Sequence, residues 1–209
     1  YQTQDEVNGS AHLPNTYAGD SKFKDLNNDG VINDLDKTII GNNLPKFTYG
    51  ITNSFTYGNF DLGVSLQGAQ DVQVINLVKR SAYRNNGAAF TNYWRSPDQP
   101  GNGRNYTPSS SSNNRVISSW LVEDASFLRI KNVTLGYRLG NILNGTFIRS
   151  ARAYVNIQNL YTFTKYTGYN PEVNTTEGDP WISSALTPGI DYGTYPMART
   201  IVFGLNLGF

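Results

Sequence analysis

Arg199-Thr200-Ile201-Val202-Phe203-Gly204-Leu205-Asn206-Leu207-Gly208-Phe209 alternates from one end to the other. Ile201, Phe203, Leu205, Leu207 and Phe209 hold one parity. Thr200, Val202, Gly204, Asn206 and Gly208 hold the other. Successive side chains of a strand point to opposite faces, so the stretch reads as a strand with one apolar face and one small or polar face. In water that face needs a covering layer, and no sequence follows to supply it. In lipid it needs none, and a tilted strand of about 9–11 residues crosses the hydrocarbon core. A membrane-spanning strand is therefore the expectation to test along the chain.

Upstream, the same period returns. Over 151–163, Ala153, Val155, Ile157, Tyr161 and Phe163 oppose Arg152, Tyr154, Asn156, Gln158 and Thr162. Over 126–139, Val133, Leu135, Tyr137 and Leu139 share a face, while Leu128 and Ile130 sit on the wrong parity. Either a bulge lies near Lys131, or residues 126–131 project above a membrane. Over 46–57, Phe47, Tyr49, Ile51, Phe55 and Tyr57 share a face that Asn53 interrupts. Gly58-Asn59 turns the chain into 59–70, where Phe60, Leu62, Val64 and Leu66 repeat the pattern. Asn53 faces lipid near mid-depth, at a cost in free energy, unless a bulge turns it.

About five strands result: 46–57, 59–70, 126–139, 151–163 and 199–209. Short connections (58–59 and a turn over Gly140–Gly145 with Asn144-Gly145 at its tip) alternate with long ones (71–125 and 164–198). Residues 1–19 read as loop, and Val74–Lys79 as a short helix inside the first long connection. Outer-membrane barrels carry short periplasmic turns and long external loops. With the C-terminus periplasmic, every long connection falls outside. Five strands do not close a barrel, so the fold class expected is all-β, the C-terminal antiparallel strands of a large transmembrane β-barrel with long extracellular loops. Further strands and a plug domain are expected upstream.

Composition agrees and excludes much else. The chain has 209 residues, a net charge of +1, no Cys and a single His. A near-neutral balance gives no footprint for nucleic acid, and thiolate chemistry is excluded. Fourteen Tyr and ten Phe suit interfacial aromatic girdles, and equally a secreted β-sandwich. The carboxylates Asp20, Glu123, Asp124, Glu172, Glu177 and Asp179 show no paired spacing of the kind a glycosidase needs. No nucleophile elbow is present either, and no enzyme is expected.

Residues 1–45 form an external loop region with one sharp motif. Asp25-Leu26-Asn27-Asn28-Asp29-Gly30-Val31-Ile32-Asn33-Asp34-Leu35-Asp36 has the spacing of a twelve-residue Ca²⁺ loop. Asp25, Asn27 and Asp29 supply hard oxygens at positions 1, 3 and 5. Gly30 takes the sharp turn, Val31 offers its carbonyl, and Asn33 binds directly or through water. Asp36 stands at position 12 where a bidentate Glu is usual. Flanks without helical period favour a structural ion over a sensor. The competing reading is a solvated turn with no metal.

Several stretches together resemble the SusC-like (RagA-like) TonB-dependent outer-membrane transporters of Bacteroidetes. They are Gly19–Ile32, Ile40–Gly50, Trp94–Pro100, Asp124–Tyr137, Asn156–Glu172 and Asp191–Pro196 with the terminal strand. The resemblance covers about residues 19–209 in order. It implies a 22-stranded barrel with an N-terminal plug, a SusD-like lipoprotein as lid, import of glycan or peptide fragments driven through TonB, and a Gram-negative outer-membrane location. On it, Arg152, Tyr154, Asn156 and Gln158 face the lumen. Trp94, Trp120, Trp181 and Tyr192 either stack on cargo or serve loop packing or the lid interface, the second being the expectation. The alternative is a soluble secreted β-sandwich binding module with a dockerin-like calcium loop.

Overall fold

The computed structural model describes residues 1–80, 92–108, 113–139, 148–173 and 188–209. Among the described residues there are eight strands: β1 (Phe47–Tyr57), β2 (Phe60–Gln70), β3 (Gln73–Asn76), β4 (Val122–Asp124), β5 (Phe127–Arg138), β6 (Ser150–Thr164), β7 (Ile190–Asp191) and β8 (Thr200–Gly208). The long ones form a single antiparallel sheet in the order β1-β2-β5-β6-β8. A small sheet in the order β4-β3-β7 accompanies it. No described helix is long and apolar enough to cross a membrane, which says nothing of strands.

Register follows from the alternation. Tyr57 pairs with Phe60 across a two-residue turn. Gly58 supplies the positive φ, +57°, that the first position of such a turn requires. From there the β1–β2 ladder runs unbroken, with Asn53 opposite Val64. No bulge turns Asn53 away, so it sits in the apolar column between Ile51 and Phe55.

The frame change in β5 is a bulge. Ser65 pairs with Asn132 and Leu66 with Ile130, which leaves Lys131 out of the β2 ladder. On the other side, Asn132 pairs with Gln158 and Ile130 with Tyr161. Asn159 takes a left-handed φ of +52° there. The extra residue restores parity. Leu128 and Ile130 rejoin the face of Val133, Leu135 and Tyr137, and Arg129 moves to the polar face.

The chain divides into two compact units. The second, Asn42–Val74 with Glu123–Phe209, holds the five-stranded sheet. Its small core gathers Val74, Ala125 and Tyr166, with Val72 and Val173 packed against them. The first unit, Tyr1–Gly41 with Ile75–Val122, takes in most of the first long connection, which alternation alone does not assign. Residues Gln4–Asn8 form a short helix capped by Thr3, where loop was expected. Trp94 packs its ring on Gly19. Asn114 Nδ2 donates to the buried Asp20 carboxylate at 2.7 Å. Thr107 N–H donates to the Gly19 carbonyl at 2.7 Å. Of the helix expected over Val74–Lys79, the first three residues are strand and 77–79 are helical. The turn over Gly140–Gly145 lies outside the described residues, as do Trp181, Glu177 and Asp179.

Candidate functional site

The sheet itself is the candidate site, because its two faces differ in chemistry. Registered rows cross all five strands on the apolar face. One joins Phe55, Leu62, Leu135, Val155 and Phe203. Another joins Asn53, Val64, Val133, Ile157 and Ile201. These residues do not form a core: Phe55 is 59 % exposed, Phe203 81 % and Ile201 54 %. Among the described residues no second layer covers them. A sandwich would bury such a face against a second sheet.

Aromatic rings mark both ends of this face. Near one end Phe47 lies beside Tyr49 at 6.1 Å, and Tyr161 meets Phe163 edge-on at 4.6 Å. At the other end Phe60 meets Tyr137 at 4.7 Å, with Tyr57 next to them in the ladder. Phe47 and Tyr57 bound an 11-residue strand. At about 3.4 Å per residue and a tilt of about 40°, that strand rises roughly 26 Å. An apolar band of about 25 Å between aromatic girdles is what an outer-membrane barrel shows lipid.

The opposite face is a polar network. Arg152 on β6 reaches across β5 to Asp61 on β2, with Nε donating to Oδ1 at 2.9 Å and a second bond beside it. The bridge skips a strand because Gly136 lies beneath the guanidinium, where a Cβ would collide with it. Asn156 Nδ2 donates to Asn132 Oδ1 and Thr134 Oγ1, both at 2.6 Å. Tyr154 lies over Gly204 of the next strand in the same manner. Arg152, Tyr154 and Asn156 thus occupy the polar face with one another's strands as partners.

A second cluster lies toward the end from which the long connections leave. Arg129 is 3 % exposed. It donates from Nε to Thr162 Oγ1 and from Nη2 to Asn170 Oδ1, each at 2.9 Å, and pairs with Glu172 through Nη1. Gln67 Nε2 donates to the other Glu172 oxygen at 3.0 Å, and Lys131 Nζ reaches Gln67 Oε1 at 2.8 Å. The segment after β6 is thereby strapped to the sheet. Its start is fixed too: Thr167 donates N–H and Oγ1 to Glu123, and Tyr166 O–H donates to the buried Asp191 carboxylate at 2.5 Å. Burial, then the hydrogen bond to Asp191, pushes the Tyr166 phenol far up. Sequence reasoning left Glu123, Glu172 and Asp191 without these partners. The parity mismatch of Arg129 was the only signal.

In the first unit, the loop 25–36 curls as its spacing demands, with Gly30 at φ +81°. Asp25 accepts from the N–H groups of Asn28 and Gly30, and Asp29 from that of Val31. Asp36 accepts from Asn33 and Leu26, and these N–H groups hold its carboxyl below the usual range. Among the described residues no three His, Cys, Asp or Glu side chains gather into a metal-holding group. A carboxylate offers about four lone-pair sites, so the Asp residues keep acceptor capacity beyond these bonds. Trp94 donates Nε1–H to the Gln2 carbonyl at 3.2 Å. Trp120 packs on Tyr106 at 4.8 Å under Lys79. Both indoles are engaged in loop packing, while Tyr192 is exposed.

No family model matches the chain. It is 36 % identical over 203 residues to TonB-dependent receptor P3 of Formosa agariphila, covering 93 % of this chain and 20 % of that protein. It is 28 % identical over 205 residues to TonB-dependent receptor SusC of Bacteroides thetaiotaomicron, covering 91 % and 18 %. Among solved structures, the RagAB peptide importer in its open-open state superposes with a TM-score of 0.63 at 24 % identity, covering 82 % of this chain and 18 % of that one. That likeness fixes the fold. The chain spans about a fifth of the length of the relatives it matches.

Proposed function

Because this chain belongs with the SusC-like TonB-dependent receptors, we propose that it forms a C-terminal portion of the wall of an outer-membrane β-barrel that imports nutrients. The two-faced sheet carries the reading: an exposed apolar face between aromatic ends, backed by a charged and hydrogen-bonded face. A wall between lipid and an aqueous lumen needs both. On this reading the long connections are extracellular and the C-terminus is periplasmic. The cargo is glycan or peptide fragments, energy arrives through TonB, and a SusD-like lipoprotein closes the mouth. The likeness to SusC and RagAB supports the partner and the energy source.

The same reading gives the 25–36 loop a structural Ca²⁺. Asp25, Asn27, Asp29 and Asp36 are its side-chain donors and Val31 its carbonyl donor. The hard-oxygen donor set and the spare lone pairs support it. Bound there, the ion stiffens the external rim.

Single cysteines test the wall. In a full-length receptor otherwise free of Cys, in native membranes, Val155→Cys and Phe203→Cys should react only with a bilayer-partitioning maleimide. Thr134→Cys and Asn156→Cys should react with a water-soluble one. Equal reaction of all four with the water-soluble reagent, or release of the protein by high salt without detergent, would sink the reading.

A further inference from the structure

The importer reading names no cargo site, and the first unit contains a cleft lined in part by the Trp94, Tyr106 and Trp120 rings described above. Its volume is about 1160 Å³, at the upper end of the size of small-molecule sites. One wall is the segment that carries Phe23, Lys24 and the back of the 25–36 loop. The other is formed by residues 103–106 and 116–120.

Charge in this cleft is unbalanced. Its carboxylates are committed: Asp20 to Asn114 and the Tyr17 N–H, Asp34 to Lys37 at 2.8 Å, Asp36 to two backbone N–H groups. Lys22 is committed as well, to Glu6 at 2.8 Å. Lys24 and Arg104 remain, exposed, with no carboxylate partner among the described residues. The same lining holds apolar surfaces from Phe23, Tyr106 and Ile117, the last 49 % exposed. Burial pushes the Tyr106 phenol up to about 12, so it stays a neutral ring. The remaining lining is rich in uncharged hydrogen-bonding groups, among them Ser21, Asn105, Ser118 and Ser119.

We propose that this cleft binds an acidic oligosaccharide, a short chain of uronic-acid type, as a cargo site of the importer. Sugar rings present apolar faces that rest on aromatic and aliphatic walls. Their hydroxyls exchange hydrogen bonds with Ser and Asn. The carboxylates are met by Lys24 and by the planar fork of Arg104, which suits a carboxylate bidentately. A neutral glycan leaves both cations without a partner, and a peptide offers no run of hydroxyls for the neutral lining. The proposal rests on the importer reading for its biological sense, but the binding does not.

The test is equilibrium binding of trigalacturonate to the purified full-length receptor in detergent, with TonB-dependent uptake by cells measured separately. Lys24→Gln and Arg104→Gln remove exposed charges that have no carboxylate partner among the described residues, and leave the fold intact. Each should weaken trigalacturonate by about tenfold or more, the loss of one charge-assisted contact. The methyl-esterified trisaccharide should bind weakly to wild type and be indifferent to both variants. Trigalacturonate that fails to bind, or binds equally to the variants, overturns the site. So does a tripeptide that binds more tightly and is weakened by the same substitutions, or binding that appears only when residues upstream of Tyr1 are removed. Loss of the site with uptake of some other cargo intact leaves the importer reading standing; absence of any TonB-dependent uptake defeats that reading and not the binding result.

Discussion

Arg129→Ala should release the strap that follows β6. The guanidinium is 3 % exposed and its partner Glu172 25 %. Removing one member of a buried pair costs about 3–5 kcal/mol, because the other charge is left without its partner. Glu172 keeps the Gln67 bond at 3.0 Å and some contact with water, so the lower end applies, about 3 kcal/mol. Asn170 keeps only the Glu172 N–H at 3.2 Å on its oxygen. At about 1.4 kcal/mol per decade, opening of residues 164–173 should become more frequent by on the order of 10². Hydrogen exchange of the full-length receptor in detergent measures this directly. Peptides covering 164–173 should lose protection, while a peptide from β8 keeps it. The double variant Arg129→Met, Glu172→Met removes both charges together and should recover much of the protection. Unchanged exchange in Arg129→Ala, or a double variant as loose as the single one, refutes the pair as the cause of the strap's position.

Gly136→Val places a side chain where the Arg152 guanidinium lies. It should break the bond to Asp61 and lower the melting temperature of the barrel in detergent more than Gly63→Val, whose site is open apart from Thr134. Ca²⁺ should protect the 25–36 loop from proteolysis in wild type, and Asp29→Ala should abolish that protection without preventing insertion into membranes. Cleavage indifferent to Ca²⁺ and chelator would argue for a metal-free turn. In alkaline titration the Tyr166 phenol should ionise well after ordinary tyrosines, because burial and Asp191 both raise it. The sign follows: below the ordinary value of 10.0 both states are neutral. Above it the unfolded chain ionises first, so the strap loses stability as pH climbs. Phenolate absorbance of wild type against Tyr166→Phe isolates the group.

The strands were legible because a period of two is a local property. Which side chains share a face depends only on their parity, and Ile201 to Leu207, Val155 to Phe163 and Phe47 to Tyr57 declare it within about ten residues of sequence. The wrong parity of Leu128 and Ile130 announced an irregularity near Lys131. Only the pairing of Ser65, Leu66 and Ile130 made it a bulge, since an extra residue in one strand is defined by its neighbours. The Ca²⁺-type loop was visible for the same local reason, its donors lying within a span of twelve residues.

The polar face was not legible in this way. Arg152 and Asp61 lie 91 positions apart, Arg129 and Glu172 43. Strand order and register bring them together, and the side chains themselves carry no mark of a distant partner. The same holds for the cleft, whose walls join a leader segment to a connection some 80 residues later. Alternation along each strand by itself determined that this chain builds a sheet with one apolar face and one polar face. The ladder between strands, which sets neighbours across the chain, decided what holds the other face together.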